Sequence, residues 1–305
     1  MSTFHHLPIM LESVVSSLVL KKDGKYLDCT FGRGGHSKEI LKNLSKEGKL
    51  IAIDKDLEAI KEGKRIKDSR FFIQHTSIQD FANKTKEKFD GIFMDLGVSS
   101  PQLDDSSRGF SFMKNGPLDM RMNQLQTLTA QNVVNDYEEE SLIIIFKNYG
   151  EERFAKKIAK NICKARLDKP IETTSELSEI VKKSVPQSGM KKHPATKVFQ
   201  AIRIEVNHEL EELENSIPKF FELLNSNGRL AILTFHSLED RIVKTVFNSF
   251  AKPKKDDIPR YIPIRESEMA NTVKAKNILS IIASEEEIKE NIRSRSARLR
   301  VIEKI

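Results

Sequence analysis

The order of hydrophobic segments predicts an α/β fold, a mostly parallel sheet interrupted by an all-helical insertion. Three observations carry this. Short apolar runs alternate with helix-like stretches over residues 25–98, the period turns helical from about 129 to 214, and the alternation then resumes. At roughly 150 residues per domain, a chain of 305 residues suits one large domain with an insertion, or two domains. The expected bounds are 1–109 and 206–305 for the two parts of the sheet domain and 110–205 for the insertion.

The elements follow in order. Residues 26–31 read as a first strand, Gly32, Arg33, Gly34 and Gly35 as a tight turn, and 37–44 as a helix. The second strand, 50–53, ends on Asp54; the third is 71–73; the fourth, 91–94, runs into Asp95. Runs this short and apolar suit strands covered by helices on both faces. Residues 104–123, rich in Asp, Ser, Gly and Asn, read as a long functional loop. Leu142, Ile145, Phe146 and Tyr149 share a helical stripe that Gly150 stops. A second helix spans about 151–166, with Lys156, Lys157, Lys160 and Lys164 mostly outward. Thr173 and Glu176 have the capping-box spacing that starts a third, and a fourth spans about 195–213. Pro218 then opens a helix through Leu224, Gly228 ends it, and 230–235 is a fifth strand. After an irregular basic stretch at 251–277, the last strands are 278–282 and 297–302.

Composition excludes several classes. With 38% hydrophobic and 31% charged residues the chain is too apolar for disorder, and no apolar run approaches the ~18 residues of a membrane span. The N-terminal stretch lacks an export signal, so a cytoplasmic location is expected. Cys29 and Cys163 lie far apart with no Cys/His cluster near either, so no metal site is expected. The net charge of +7 points to a polyanionic partner. It is concentrated: 110–205 holds 16 basic against 12 acidic residues, 251–305 holds 13 against 9, and the remainder is close to neutral. A nucleic-acid binder concentrates charge in this way, although ordinary solvated faces look alike.

A strand, a glycine turn, a helix and an acid ending the next strand form the arrangement that holds an adenosine-containing cofactor. The turn is Gly32-x-Gly34-Gly35-His36-Ser37, with Asp54 placed 22 positions after Gly32 to accept from ribose hydroxyls. Ser37 replaces the third glycine of the dinucleotide fingerprint, which weakens a nicotinamide reading, and no phosphate-binding P-loop is present. An innocuous turn remains open on these residues alone. Phe81 is placed to meet an adenine ring or to fill the core, and Asp95 ends the fourth strand where ligands of open α/β sheets bind.

Longer motifs sharpen this. They are His6-Leu-Pro-Ile-Met-Leu-Glu12, Asp28-Cys-Thr-Phe-Gly-Arg-Gly-Gly-His-Ser37, Met94-Asp-Leu-Gly-Val-Ser-Ser-Pro-Gln-Leu-Asp104, Arg108-Gly-Phe-Ser-Phe112 and Gly116-Pro-Leu-Asp-Met-Arg-Met122. Others run from His193 to Asn207, from Thr234 to Arg241 and from Arg293 to Arg300. In these stretches, covering nearly the whole chain, the sequence resembles the MraW/RsmH family of S-adenosylmethionine-dependent methyltransferases. That family methylates the exocyclic N4 of a cytosine in the decoding centre of 16S ribosomal RNA. The resemblance implies a Rossmann-like class I methyltransferase sheet, S-adenosyl-L-methionine as cofactor, and 16S rRNA of the small ribosomal subunit as partner. It implies that Gly34, Gly35 and His36 contact the cofactor's amino-acid end, Asp54 its ribose and Phe81 its adenine, with Asp95 and Gln102 completing the pocket. Asn115 and Asn123 stand where the family usually has Asp, and Ile292 where a Pro commonly precedes the arginine run.

Methyl transfer from a sulfonium needs alignment and exclusion of water. A cytosine amine shares its lone pair with the ring, so a proton acceptor helps, and Asp95 is the first carboxylate to test as catalytic. For the RNA, Phe110 and Phe112 between Arg108 and Arg121 form either a stacking platform with clamps or a loop pinned to the insertion's core. His236, at the end of the fifth strand with Arg241 following, faces the same sheet edge as Asp95 or else serves in capping or packing, and both are candidate RNA contacts. Lys156, Lys157, Lys160, Lys191, Lys192 and the arginines of 293–300 are candidate phosphate contacts. His5, His75 and His208 are assigned no function. Two other classes stay open: a methyltransferase acting on DNA or protein, and a non-catalytic cofactor-sensing RNA-binding protein.

Overall fold

In the computed structural model, which describes residues 8–186, 193–252 and 273–305, β1 (Lys25–Asp28) pairs in parallel with β2 (Lys49–Asp54), and β2 with β3 (Phe71–His75). The chain then crosses back. β4 (Phe89–Asp95) joins the other side of β1, and β5 (Leu224–Thr234) follows it, both parallel. β6 (Ala275–Ile282) forms the far edge, and β7 (Arg298–Lys304) lies antiparallel between β5 and β6. The order β3-β2-β1-β4-β5-β7-β6 is that of a Rossmann-like α/β sheet. Strand order reverses between β1 and β4, the kind of switch point at whose carboxyl ends ligands of open α/β sheets bind. The strands begin earlier than their apolar runs because pairing is a backbone property: Lys25 sits opposite Lys49.

Two cores sandwich this sheet. On one face α1 (Leu11–Leu18), α2 (Gly35–Asn43) and α3 (Leu57–Gly63) bury Val14, Leu18, Ile40 and Ala59 against Tyr26, Leu50, Phe93 and Leu299. On the other, α4 (Ile78–Lys84) supplies Phe81 and Ala82 to a cluster with Leu27, Ile53 and Ile92.

Residues Val98–Glu209 form a second compact unit, while Met1–Gly97 and Leu210–Ile305 form the first. The helices of the second unit are α5 (Ser100–Asp104), α6 (Ala130–Asp136), α7 (Glu139–Asn148), α8 (Ala155–Asp168), α9 (Thr174–Ser184) and α10 (Thr196–Asn207). They enclose a core of Leu142, Phe146, Ile158, Ile162, Val198 and Ile202. The unit is wider at both ends than the expected 110–205, since α5 and the end of α10 pack with it.

Two sequence expectations are corrected. The helix expected over 195–213 breaks at His208, which adopts a left-handed φ of 51° and donates its N–H to Glu205 O. A new helix, α11 (Glu209–Glu222), starts there and runs through Pro218 instead of beginning at it. Proline inside a helix forfeits a hydrogen bond, at a cost of ~3 kcal/mol or more. Burial of Leu213, Ile217, Phe220 and Phe221 on one stripe offsets that loss. β5 accordingly starts at Leu224, before Gly228. α12 (Ser237–Ala251) and α13 (Glu285–Glu290) complete the first unit among the described residues. No helix of the described residues is long and apolar enough to cross a membrane.

Candidate functional site

Parallel strands that end on acids place several carboxylates along one edge. Asp28 ends β1, Asp54 ends β2 and Asp95 ends β4. After β1 the chain makes the glycine turn. Gly32 and Gly34 take left-handed φ values of 55° and 73°, and the Gly34 N–H closes the turn on Phe31 O at 2.7 Å. A Cβ at Gly34 would fall 2.5 Å from the Phe31 ring, and one at Gly35 2.3 Å from Pro8 Cγ.

Ser37, the departure from the dinucleotide fingerprint, has a structural task. Its hydroxyl donates to Asp28 Oδ2 at 2.6 Å, and both residues are buried. Burial pushes the Asp28 carboxyl up to about 6, against the lowering effects of the Ser37 hydroxyl and the Thr30 N–H. Asp54 accepts from two amides, Gly32 N–H on Oδ2 and Asp56 N–H on Oδ1, each at 2.8 Å. Its carboxyl is also raised by burial.

Asp95 is held by its backbone, whose N–H donates to Thr30 Oγ1 at 2.6 Å. Its side chain is 30% exposed, yet Oδ1 is buried with no hydrogen-bond partner among the described residues. Oδ2 lies 3.6 Å from His36 Nδ1. Burial, then the nearby Asp28 and Glu239 carboxylates, raises the Asp95 carboxyl well above the ordinary carboxylate range. The His36 ring is 6% exposed, and burial lowers it to about 4.

His236 follows β5 and caps α12, its Nδ1 accepting the Glu239 N–H at 3.4 Å. Nε2 is 3.1 Å from Glu239 Oε1 but outside hydrogen-bond geometry. Glu239 Oε2 returns to the Phe235 N–H at 2.7 Å. Arg241 is exposed on α12. The edge thus assembles Asp28, Gly32, Gly34, His36, Asp54, Asp95 and His236 from sites spread over more than 200 residues of chain. Asp28, Thr30, Ser37 and Glu239 were not singled out from sequence as site residues. The His236 to Glu239 spacing is the signal that was available for the last.

Other expected residues are described within their own units. Phe81 is buried in the core with its ring 6.4 Å from that of Phe89, so its observed contacts are packing. Gln102 belongs to the second unit, where Oε1 accepts the Ser99 N–H at 2.9 Å. Of the two readings of the 108–121 loop, the contacts here are those of a loop pinned to its own core. Arg108 and Phe110 are buried, and Arg108 Nη2 donates to the carbonyls of Arg121 and Met122 at 2.9 and 3.2 Å. Arg121 is paired with Asp119 at 2.7 Å, and Phe112 stacks on His193 with ring centroids 4.5 Å apart. These side chains pin the loop to its own unit.

Of the phosphate candidates, Lys156, Lys157, Lys160, Arg293 and Arg295 are exposed. Arg300 is bound to Asp240 through two hydrogen bonds of 2.7 and 2.9 Å. His5, Lys191 and Lys192, the start of the motif at His6 and most of 251–277 lie outside the described residues. Among the described residues no group of three His, Cys, Asp or Glu side chains is placed to hold a metal ion.

Comparison with known proteins adds an identity to this geometry. The chain is 52% identical over 309 residues to a protein of Clostridium botulinum (strain Loch Maree / Type A3) named ribosomal RNA small subunit methyltransferase H, covering 99% of each. A protein of the same name from Coxiella burnetii (strain Dugway 5J108-111) is 47% identical, with 98% of this chain and 99% of the relative covered. The crystal structure of an rRNA methylase from Streptococcus thermophilus superposes with a TM-score of 0.40 at 11% identity, over 97% of this chain and 93% of that one. The model of the MraW methylase family matches residues 3–305, and the chain belongs to that family.

Proposed function

We propose that the chain transfers a methyl group from S-adenosyl-L-methionine to the exocyclic N4 of a cytosine in the decoding centre of 16S rRNA, within the small ribosomal subunit, in the cytoplasm. The observation that carries the reading is the Asp95 carboxyl group, its side chain 30% exposed at the carboxyl end of β4, next to the switch in strand order and the glycine turn. An amine nucleophile that must shed a proton needs an acceptor within its reach. Membership of a methylase family and the names of the two relatives support the substrate class.

The residues at this edge fit the cofactor. The left-handed turn at Gly32 and Gly34 brings backbone close to a ligand, and Asp54 stands at the end of the neighbouring strand for a ribose. The cofactor supplies an electrophilic methyl group on a sulfonium. The protein's part is to hold Gly34, Gly35 and Asp54 around it, to align the amine, and to receive a proton at Asp95. Lys156, Lys157, Lys160, Arg293 and Arg295 serve as phosphate contacts.

Small subunits from a strain lacking this methylation, incubated with the protein and labelled S-adenosylmethionine, are expected to yield N4-methylated cytidine by nucleoside mass spectrometry. Label at C5 or N3, or label only on DNA or protein acceptors offered in parallel, overturns the reading.

A further inference from the structure

Residues 8–10 form a strap against the glycine turn. Pro8 packs so closely on Gly35 that a Cβ there would fall 2.3 Å from Pro8 Cγ. The Ile9 carbonyl oxygen, which only accepts, takes the His36 Nε2–H at 3.0 Å. The strap thus touches two of the three residues expected at the cofactor's amino-acid end.

A distant residue fastens it. Met10 is buried, takes a left-handed φ of 53°, and stands at the N-cap of α1 with no side-chain capping bond. That conformation is disfavoured for a residue with a side chain, so contacts from outside the segment have to hold it. The Met10 N–H donates to Glu287 Oε1, from the first turn of α13, 277 positions along the chain. An acid at the third position of a helix with a serine cap ordinarily reaches back to the N–H of the cap. Here Ser284 Oγ accepts the Glu287 N–H at 3.2 Å, but the Glu287 carboxylate is turned to Met10 instead. Ile9 and Ile288, the chain neighbours of the two partners, pack against the same apolar cluster that buries Met10.

From these contacts we propose that Glu287 is a positioning residue for S-adenosylmethionine: it fastens the strap at Met10, and the strap holds Gly35 and His36 in the shape that receives the cofactor's amino-acid end. The proposal rests on the cofactor reading of the glycine turn. Each link is a direct contact, from carboxylate to Met10 N–H, from Ile9 carbonyl to the His36 ring, and from Pro8 to Gly35. Without the carboxylate, the Met10 N–H loses its acceptor, and the strap gains by opening to water. An open strap uncovers Gly35 and leaves the His36 Nε2–H without the Ile9 carbonyl. Cofactor affinity then falls by the fraction of molecules in which the strap is closed.

The test uses the full chain and two readouts, hydrogen exchange at the Met10 amide and S-adenosylhomocysteine affinity by calorimetry, in conditions where urea curves show every variant folded. In folded protein a general loss of stability leaves affinity alone, whereas a loosened strap lowers it. Glu287→Ala is expected to speed Met10 exchange and to weaken affinity, each by about tenfold for a charged hydrogen bond lost. Glu287→Gln keeps an acceptor for the Met10 N–H and should restore both. Glu286→Ala, at an exposed acid one residue earlier, removes the same charge from α13 and should move neither. Unchanged Met10 exchange in Glu287→Ala overturns the fastening. Faster exchange with unchanged affinity overturns the positioning role, as does an equal loss in Glu287→Gln or in Glu286→Ala. If the unaltered protein binds no S-adenosylhomocysteine, the cofactor reading itself fails and this role with it, while exchange at Met10 still decides whether Glu287 holds the strap.

Discussion

Asp54 Oδ2 accepts the Gly32 N–H at 2.8 Å, tying the end of β2 to the turn that follows β1. The carboxylate assigned to a ribose therefore also shapes the turn. Asp54→Ala is expected to act twice, lowering stability by about 1–3 kcal/mol through unpaired amides and weakening cofactor binding by about tenfold. Urea unfolding and calorimetry read the two separately. Lost stability with unchanged affinity would assign Asp54 to the turn alone.

Gly34 carries a φ of 73° and would place a Cβ 2.5 Å from the Phe31 ring. Gly34→Ala meets both obstacles, the left-handed strain being about 1–2 kcal/mol by itself. A loss of S-adenosylhomocysteine binding larger than the loss of stability is expected by calorimetry. Equal losses would show the turn to be only structural.

Asp28 titrates at about 6 when folded, against an ordinary 3.8. The folded state holds this proton more tightly, so the stability it contributes is full below about pH 4 and is lost as pH rises through 6. Asp28→Asn, which cannot ionise, is expected to gain on the natural protein by on the order of 2–3 kcal/mol between pH 4 and pH 7. Parallel urea titrations at the two pH values measure this, and curves that shift together would refute it.

Asn207 closes the loop of the second unit. Its Oδ1 accepts the Met122 N–H at 2.7 Å and its Nδ2 donates to Met120 O at 2.8 Å. Asn207→Leu leaves both buried backbone groups unpaired, and about 2–4 kcal/mol of stability should go with them. Denaturant unfolding followed by hydrogen exchange at Met122 tests it: a protected amide in the variant contradicts the assignment.

Arg293 and Arg295 are exposed, and Arg300 is bound to Asp240. If the first two contact phosphates, the double variant Arg293→Ala with Arg295→Ala lowers the slope of log affinity against log salt by about 1–2. Arg300→Ala should act mainly on stability. Filter binding to small-subunit RNA across a salt series distinguishes them, an unchanged slope removing the pair from the interface.

What was legible in the sequence was local or periodic. The capping box at Thr173 forms both its bonds, the Glu176 side chain accepting the Thr173 N–H at 2.9 Å. The acids at strand ends were readable because parallel strands announce themselves as apolar runs, and the residue that ends the run marks the edge. Contacts between distant stretches were not readable. Nothing local says that Asn207 reaches back 85 residues to Met122, or that Ser37 turns inward to Asp28. Arg108 looked like a free cation because its acceptors are backbone carbonyls, which no residue pattern displays. The break at His208 escaped because a left-handed residue there depends on packing on either side of it.

The last strand has a consequence for synthesis. β7 fills the gap between β5 and β6, so one edge of β5 has no partner until residues 298–304 have emerged from the ribosome. The second unit is contiguous from Val98 to Glu209 and mostly helical among the described residues, so it can form long before. Nascent chains halted before residue 298 should carry a finished helical body and a sheet with an exposed edge on β5, the state most in need of a chaperone.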